Sequence, residues 1–83
     1  MFLYLLENKI IGKYYIGVSH DLKKRVIYHN TKNSHFSGKQ KGLWELVNYK
    51  EFQSDEKARV EELRLKRAKN KKYILWYFSK KVK

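Results

Sequence analysis

Cysteine and proline are both absent from this 83-residue chain, and glycine occurs only four times. Without cysteine, disulfides and thiolate metal sites are excluded. No proline-rich or serine-rich linker divides the chain, and its length makes one small domain with a thin core. No apolar run approaches the length of a membrane span. The start, MFLYLLENK, is too short for a signal peptide and lacks a basic beginning, so the expected location is the reducing cytoplasm. Acidic residues are scarce as well, eight against twenty lysines and arginines, for a net charge of +12.

A small domain without covalent staples depends on packing. Seven tyrosines, four phenylalanines and two tryptophans supply the area. The charge implies a polyanionic partner, most often nucleic acid. A membrane surface fits less well, because no segment carries a long amphipathic basic stripe. Basic residues concentrate at the end of the chain. Lys66 to Lys83 contains eight of them and no acid, interleaved with Tyr73, Trp76, Tyr77 and Phe78. Residues 79–83 read as a disordered basic tail on a single domain spanning 1–83.

Residues 2–6 and 13–18 read as strands rich in β-favouring side chains. Asn8 and Gly12 mark a hairpin between them, which makes the pair antiparallel. A helix follows, capped by Ser19 or Asp21, with Leu22 and Val26 in an i, i+4 apolar contact and Arg25 and His29 on one side. It ends between Asn30 and Asn33. Residues 31–43 form a polar loop rimmed by Lys32, Lys39 and Lys41. A third strand covers 44–52. A long helix begins at Ser54 or Asp55 and runs to Lys69, its early acids suiting the positive helix end. Residues 73–78 read as a short helix, with a strand as the alternative. The order β-β-α-β-α-α gives an α+β domain, a small three-stranded antiparallel sheet flanked by helices.

Tyr4 and Tyr15 stand eleven positions apart, in Phe2-Leu3-Tyr4 and Tyr15-Ile16-Gly17. Ser19-x-Asp21-Leu22-x-x-Arg25-x-x-x-His29-Asn30 follows, then Trp44-Glu45-Leu46-Val47, then Ala58-x-x-x-Glu62-x-x-Leu65-Lys66. Five segments in this order resemble the GIY-YIG nuclease family, whose members include the N-terminal domain of the excision-repair incision subunit. The layout is most similar to the compact stand-alone bacterial members. Phe2 replaces the first glycine of the family name, and Leu43 stands where many relatives have proline. Asn70 matches loosely a polar residue that some members place after the glutamate helix.

The resemblance implies a metal-dependent endonuclease acting on DNA phosphodiesters, with a role in repair or recombination; a domain this small has little surface for reading base edges, so cleavage is expected to be weakly sequence-specific. The resemblance also implies catalytic roles for Tyr4, Tyr15, Arg25, His29 and Glu62. A phenol with reference pKa of about 10 acts as a base where cations favour the phenolate. On this reading Tyr4 activates water, Tyr15 positions it, and Arg25 grips phosphate oxygens with its planar fork. His29 assists, and Glu62 holds a single Mg²⁺ or Mn²⁺ whose shell water completes. Lys13, Lys23, Lys24, Lys32, Lys39, Lys41 and Lys66 are the expected nucleic-acid contacts. DNA, branched or single-stranded, is the expected partner, with RNA as the alternative nucleic acid, a recruiting protein as a further candidate and no membrane.

Each residue also has a plainer reading. Tyr4 and Tyr15 singly are ordinary sheet tyrosines. Tyr14 and Tyr15 face opposite sides of their strand, and periodicity does not choose between them. Glu61 and Glu62 both lie near the Ala58/Leu65 face, and Glu62 can simply pair with Lys66. Gly17, just after the strand, permits close backbone approach or positive φ, whereas Gly12 is turn chemistry. His20 and His35 are surface residues. Two other functions compete with the nuclease, a nucleic-acid-binding module that cuts little and a small basic structural protein.

Overall fold

The computed structural model describes residues 1–30 and 44–79. Its order is β1 (Phe2–Asn8), β2 (Lys13–Ser19), α1 (Leu22–His29), β3 (Glu45–Glu51), α2 (Asp55–Ala68) and α3 (Lys71–Ser79). The α+β class and the β-β-α-β-α-α order expected from sequence are those observed. The loop at 31–43, with Lys32, His35, Lys39 and Lys41, lies outside the described residues, as do 80–83. Ser79 closes α3, so any tail can begin only after it.

The sheet is antiparallel in the order β2-β1-β3, with β1 in the centre. The central strand carries the most apolar run of the three and is almost wholly buried. The β1–β2 turn is built by two residues. The Asn8 side chain accepts hydrogen bonds from the Ile10 and Ile11 amides, and Gly12 takes a φ of 68°, the left-handed region that glycine enters without steric cost. β3 slips by one residue against β1 between Leu5 and Leu6, which leaves Val47 without a partner position. Trp44 precedes this strand instead of starting it.

Strand alternation divides β1 between two clusters. Leu3 and Leu5 face Ile16, Leu65 of α2 and Phe78 of α3. Tyr4 and Leu6 face Trp44 and, from α1, Leu22 and Val26. The sheet is thus covered on one face by α2 and α3 and on the other by α1. Burying a side chain of the Leu or Phe size contributes about 1.5–3 kcal/mol, so Leu3, Leu5, Leu6 and Leu65, all without exposure, anchor both layers.

Each helix end has a local cause. Asp21 caps α1, its Oδ1 accepting the Lys24 amide, while Ser19 braces Asp21 through Oγ. Both candidate caps therefore contribute. Ser54 caps α2 through the Lys57 amide, and Lys69 ends it in the left-handed conformation with φ 51°. Asn70 caps α3 by accepting the Tyr73 amide. The last segment is a helix because its apolar residues Tyr73, Ile74, Tyr77 and Phe78 recur at helical spacing and all meet the first cluster.

Asn30 joins α1 to β3. Its Nδ2 donates to the Trp44 carbonyl at 3.0 Å, and its Oδ1 accepts the Trp44 amide at 2.8 Å. The side chain thus copies a strand partner and fixes the tryptophan under the α1 face of the sheet.

Candidate active site

The two tyrosines lie on one face because the β-hairpin register demands it. Tyr4 pairs with Gly17, and Tyr15 sits two residues earlier, opposite Leu6. The ring centroids of Tyr4 and Tyr15 are 6.3 Å apart. Gly17 makes this arrangement possible. A Cβ there would stand 2.5 Å from Tyr4 Oη and 2.7 Å from Tyr4 Cζ. The tyrosine crosses the bare backbone of β2 at a position inside the strand, where close approach and not positive φ is the reason for glycine.

His29 enters from the last turn of α1. Its imidazole is buried, and Nε2 lies 3.2 Å from Tyr4 Oη. It also packs 4.4 Å, centroid to centroid, from the Tyr15 ring. Burial, with the neighbouring Arg25 charge in second place, pushes His29 down to about 4. It is therefore neutral at neutral pH, and an imidazole bare at Nε2 accepts the Tyr4 hydroxyl proton.

The Tyr4 phenol shifts in the opposite direction. Burial first, then Tyr15, raises it above the ordinary phenol range. Arg25 works to lower it, and Glu62 adds to the rise. Tyr4 is a protonated phenol at rest, not a stored phenolate. The same charge coupling puts Arg25 and Glu62 in its vicinity, although they come from different helices. Arg25 is half-buried one turn before His29, its guanidinium 5.1 Å over the Tyr28 ring.

Glu62 and Glu61 separate here. The Glu62 side chain is 20% exposed, with Oε2 3.0 Å from Lys66 Nζ. Lys66 itself lies 5.8 Å over the Tyr15 ring, so this pair belongs to the tyrosine face. Glu61 turns toward α3. It accepts Arg64 Nη2 at 2.6 Å and Nε at 3.1 Å, and Arg64 in turn donates to the Tyr73 hydroxyl. Tyr14 is likewise on the other face, where its ring packs against the α2/α3 cluster.

The remaining basic candidates scatter. Lys24 lines a shallow cleft with Ser19, Asp21, Arg25 and Tyr28. Lys23 lines an apolar groove with Leu22, Val26, Ile27 and Leu46. Lys13, the first residue of β2, lines a cleft with Lys69 and Lys71 at the hairpin end of the strand. His20 is at the surface, as expected, 3.0 Å from Asp55. Lys69 and Lys71 hold no motif position, and the charge excess after Lys66 is their only signal in the sequence. Asn30 carried a sequence signal only through its place after His29.

Among the described residues no group of three or more His, Asp or Glu side chains stands together. The donor set beside Tyr4 is one carboxylate. Mg²⁺ commonly takes one or two carboxylates and fills its octahedron with water and substrate phosphate. The site therefore fits a loosely held ion that arrives with substrate, and not a preassembled protein cage. Lys66 has to yield its place on Glu62 for that.

The Tyr4 phenol thus lies against the Gly17 backbone and the His29 imidazole, within the influence of the Arg25 and Glu62 charges, a set able to hold an anion and move a proton. The family model described as GIY-YIG catalytic domain matches residues 1–74 of the chain. No curated protein and no solved structure matches it.

Proposed function

Because the chain belongs to the GIY-YIG catalytic-domain family, we propose that it is a metal-dependent endonuclease that hydrolyses DNA phosphodiesters with weak sequence preference, in repair or recombination. Its layout is that of the compact bacterial members, with one nuclease domain over 1–83. The observation that carries this reading is the Tyr4–His29 hydrogen bond within a cluster that also includes Tyr15, Arg25 and Glu62.

The chemistry follows from the two opposed titrations. Arg25 forms a bidentate contact with the non-bridging phosphate oxygens. Water attacks phosphorus in line with the leaving oxygen. Its proton passes to Tyr4 Oη as the Tyr4 proton passes to His29 Nε2, so no free phenolate is required. The P–O bond to the leaving oxygen breaks, that oxygen takes a proton from solvent, and His29 releases the proton it received to solvent, which restores the neutral imidazole. Tyr15 confines the water against the phosphate. Glu62 would hold the divalent cation, which supplies charge neutralisation to the phosphorane. Incoming phosphate charge favours the imidazolium, which offsets part of the Arg25 repulsion.

The test is nicking of supercoiled plasmid, and of branched and single-stranded DNA, with Mg²⁺ or Mn²⁺. Wild type is expected to nick, and Tyr4→Phe and Glu62→Ala to lose at least about 100-fold, the range for positioned proton transfer. Equal nicking by all three proteins, or none by any, sinks these roles.

One observation favours a second reading, a module that binds nucleic acid without cutting. Lys66 already engages Glu62 at 3.0 Å, and a carboxylate so neutralised holds a cation less firmly. Metal-independent retention of DNA with no product at any metal concentration would support it.

A further inference from the structure

The face of β2 opposite the candidate active site carries a second cleft. It lies between the hairpin turn, the end of α2 and the start of α3. Gly12, Lys13, Tyr14, Lys69, Lys71, Ile74 and Leu75 line it, and its volume is about 330 Å³. Three of the seven are lysines, from the start of β2, the C-cap of α2 and the first position of α3, and the others form a largely apolar wall. Among the described residues no ion pair engages Lys13, Lys69 or Lys71. Glu7, the acid hydrogen-bonded to the Tyr14 phenol, does not line the cleft.

Two further observations give the lysines direction. Lys71 Nζ lies 5.2 Å over the Tyr14 ring, so its charge is held at the wall. Lys69 is the only non-glycine residue among those described with positive φ. Glycine or asparagine is usual at that position of a helix end, and here a lysine occupies it.

We propose that this cleft binds one nucleotide of a nucleic-acid strand. Its phosphate is held by Lys13, Lys69 and Lys71, and its sugar and base lie on Tyr14, Ile74 and Leu75. The proposal rests on the nuclease reading for its ligand class. The volume is at the low end for small-molecule sites, which run from about 300 to 1,000 Å³, and so suits one nucleotide and not a length of strand. Apolar walls with a few placed charges are how such sites fix a planar ligand. The edge strand would then hold substrate on both sides, Tyr15 toward the reacting phosphate and Tyr14 toward a flanking nucleotide. Lys66, in the last turn of α2 three positions before the Lys69 cap and lying over Tyr15, bridges the two with positive charge.

The experiment is done without metal, so cleavage does not enter it. Amide resonances are followed while inorganic phosphate, a deoxynucleoside 5′-monophosphate and a short single-stranded oligonucleotide are added in turn. Wild type is compared with Lys13→Gln/Lys69→Asn/Lys71→Gln, in which asparagine keeps the left-handed turn. The charge control is Lys57→Gln/Arg59→Gln. Gly12, Tyr14 and Ile74 amides are expected to shift with the nucleotide and the oligonucleotide, more than with phosphate, and not in the triple variant. Shifts with the oligonucleotide alone would assign the ligand to strand and not to free nucleotide. The log–log salt slope of oligonucleotide binding should fall by about 0.7 in the triple variant, the value for one phosphate contact on a single strand, and remain unchanged in the control. Equal shifts with phosphate, or the same slope in triple variant and control, overturn the proposal. A wild type that nicks DNA with metal while the triple variant behaves like the control fails this inference alone. A wild type that never nicks but passes the metal-free test fails the nuclease reading alone.

Discussion

Replacing Gly17 by alanine puts a methyl group into space that Tyr4 already fills. The new Cβ would lie 2.5 Å from Oη, 2.7 Å from Cζ and 3.1 Å from Tyr15 Cε2, where unstrained carbon contacts lie at about 3.5–4.0 Å. Tyr4 has little room to retreat. It is 1% exposed, packed with Leu6 and Trp44, and hydrogen-bonded to His29. The ring must move by about 1 Å, the gap between those distances and ordinary contact. Overpacking of this kind costs about 1–3 kcal/mol, and the weakened hydrogen bond adds about 1 kcal/mol. The stiffer unfolded chain returns about 0.4–1 kcal/mol. The net loss is about 1–3 kcal/mol, and each kcal/mol lowers Tm by roughly 4–8 °C in a domain of this size. Activity falls further, since a displacement of about 1 Å costs on the order of 100-fold. Thermal unfolding followed by circular dichroism and plasmid nicking at saturating metal measure the two effects. A double-mutant cycle with Tyr4→Leu isolates the clash, because the shorter side chain leaves the methyl room. In that background alanine should cost less than about 0.5 kcal/mol. Wild-type Tm and rate in Gly17→Ala, or an equal cost in both backgrounds, would refute the reasoning.

Four other outcomes are expected. His29 is held at about 4 in the fold against about 6.5 in the unfolded chain, so the unfolded state binds more protons between those values. Its contribution is complete above about pH 6.5 and lost as pH falls toward 4; Tm of wild type should drop through that window more steeply than Tm of His29→Gln. Asn30→Ala removes both bonds to the Trp44 backbone and should destabilise by about 1–3 kcal/mol, measured by urea unfolding, with altered tryptophan fluorescence. Glu61→Gln should keep nicking activity and lose no more than about 1 kcal/mol, the worth of an exposed pair, while Glu62→Gln loses activity without that loss of stability. Binding to DNA should weaken steeply between 50 and 200 mM salt, as expected when lysines displace counterions; a flat response in a titration would count against the charge as the source of affinity.

The element order was legible because each signal was local. Asp21 and Ser54 cap α1 and α2 through amides three residues on, and Asn8 and Gly12 form the hairpin within their own turn. Boundaries shifted where a tertiary contact took over. β1 runs two residues past its apolar stretch because Glu7 and Asn8 pair with Tyr14 and Lys13. β3 begins after Trp44, whose backbone is claimed by Asn30. His29, readable as a helix-surface residue, is buried because α1 lies across the sheet. Of the cleft formed by Lys13, Lys69 and Lys71, only Lys13 as a basic contact and the charge excess after Lys66 were legible, since separate parts of the chain meet there.

The sequence by itself determined the class, the hairpin that sets Tyr4 beside the second tyrosine segment, and the helix face that pairs Arg25 with His29. These follow from periods of two and 3.6 and from caps within reach of their own backbone. Tertiary structure decided between neighbours. Alternation says that Tyr14 and Tyr15 part, but only the docking of α1 on one face and of α2 and α3 on the other says which side each tyrosine meets. Helical phase leaves Glu61 and Glu62 close together. The way α2 lies along the β2 edge turns Glu61 to Arg64 and α3, and Glu62 to Lys66 and the tyrosines. One residue of rotation is about 100° on a helix and 180° on a strand, and a local pattern has no reference direction from which to count it.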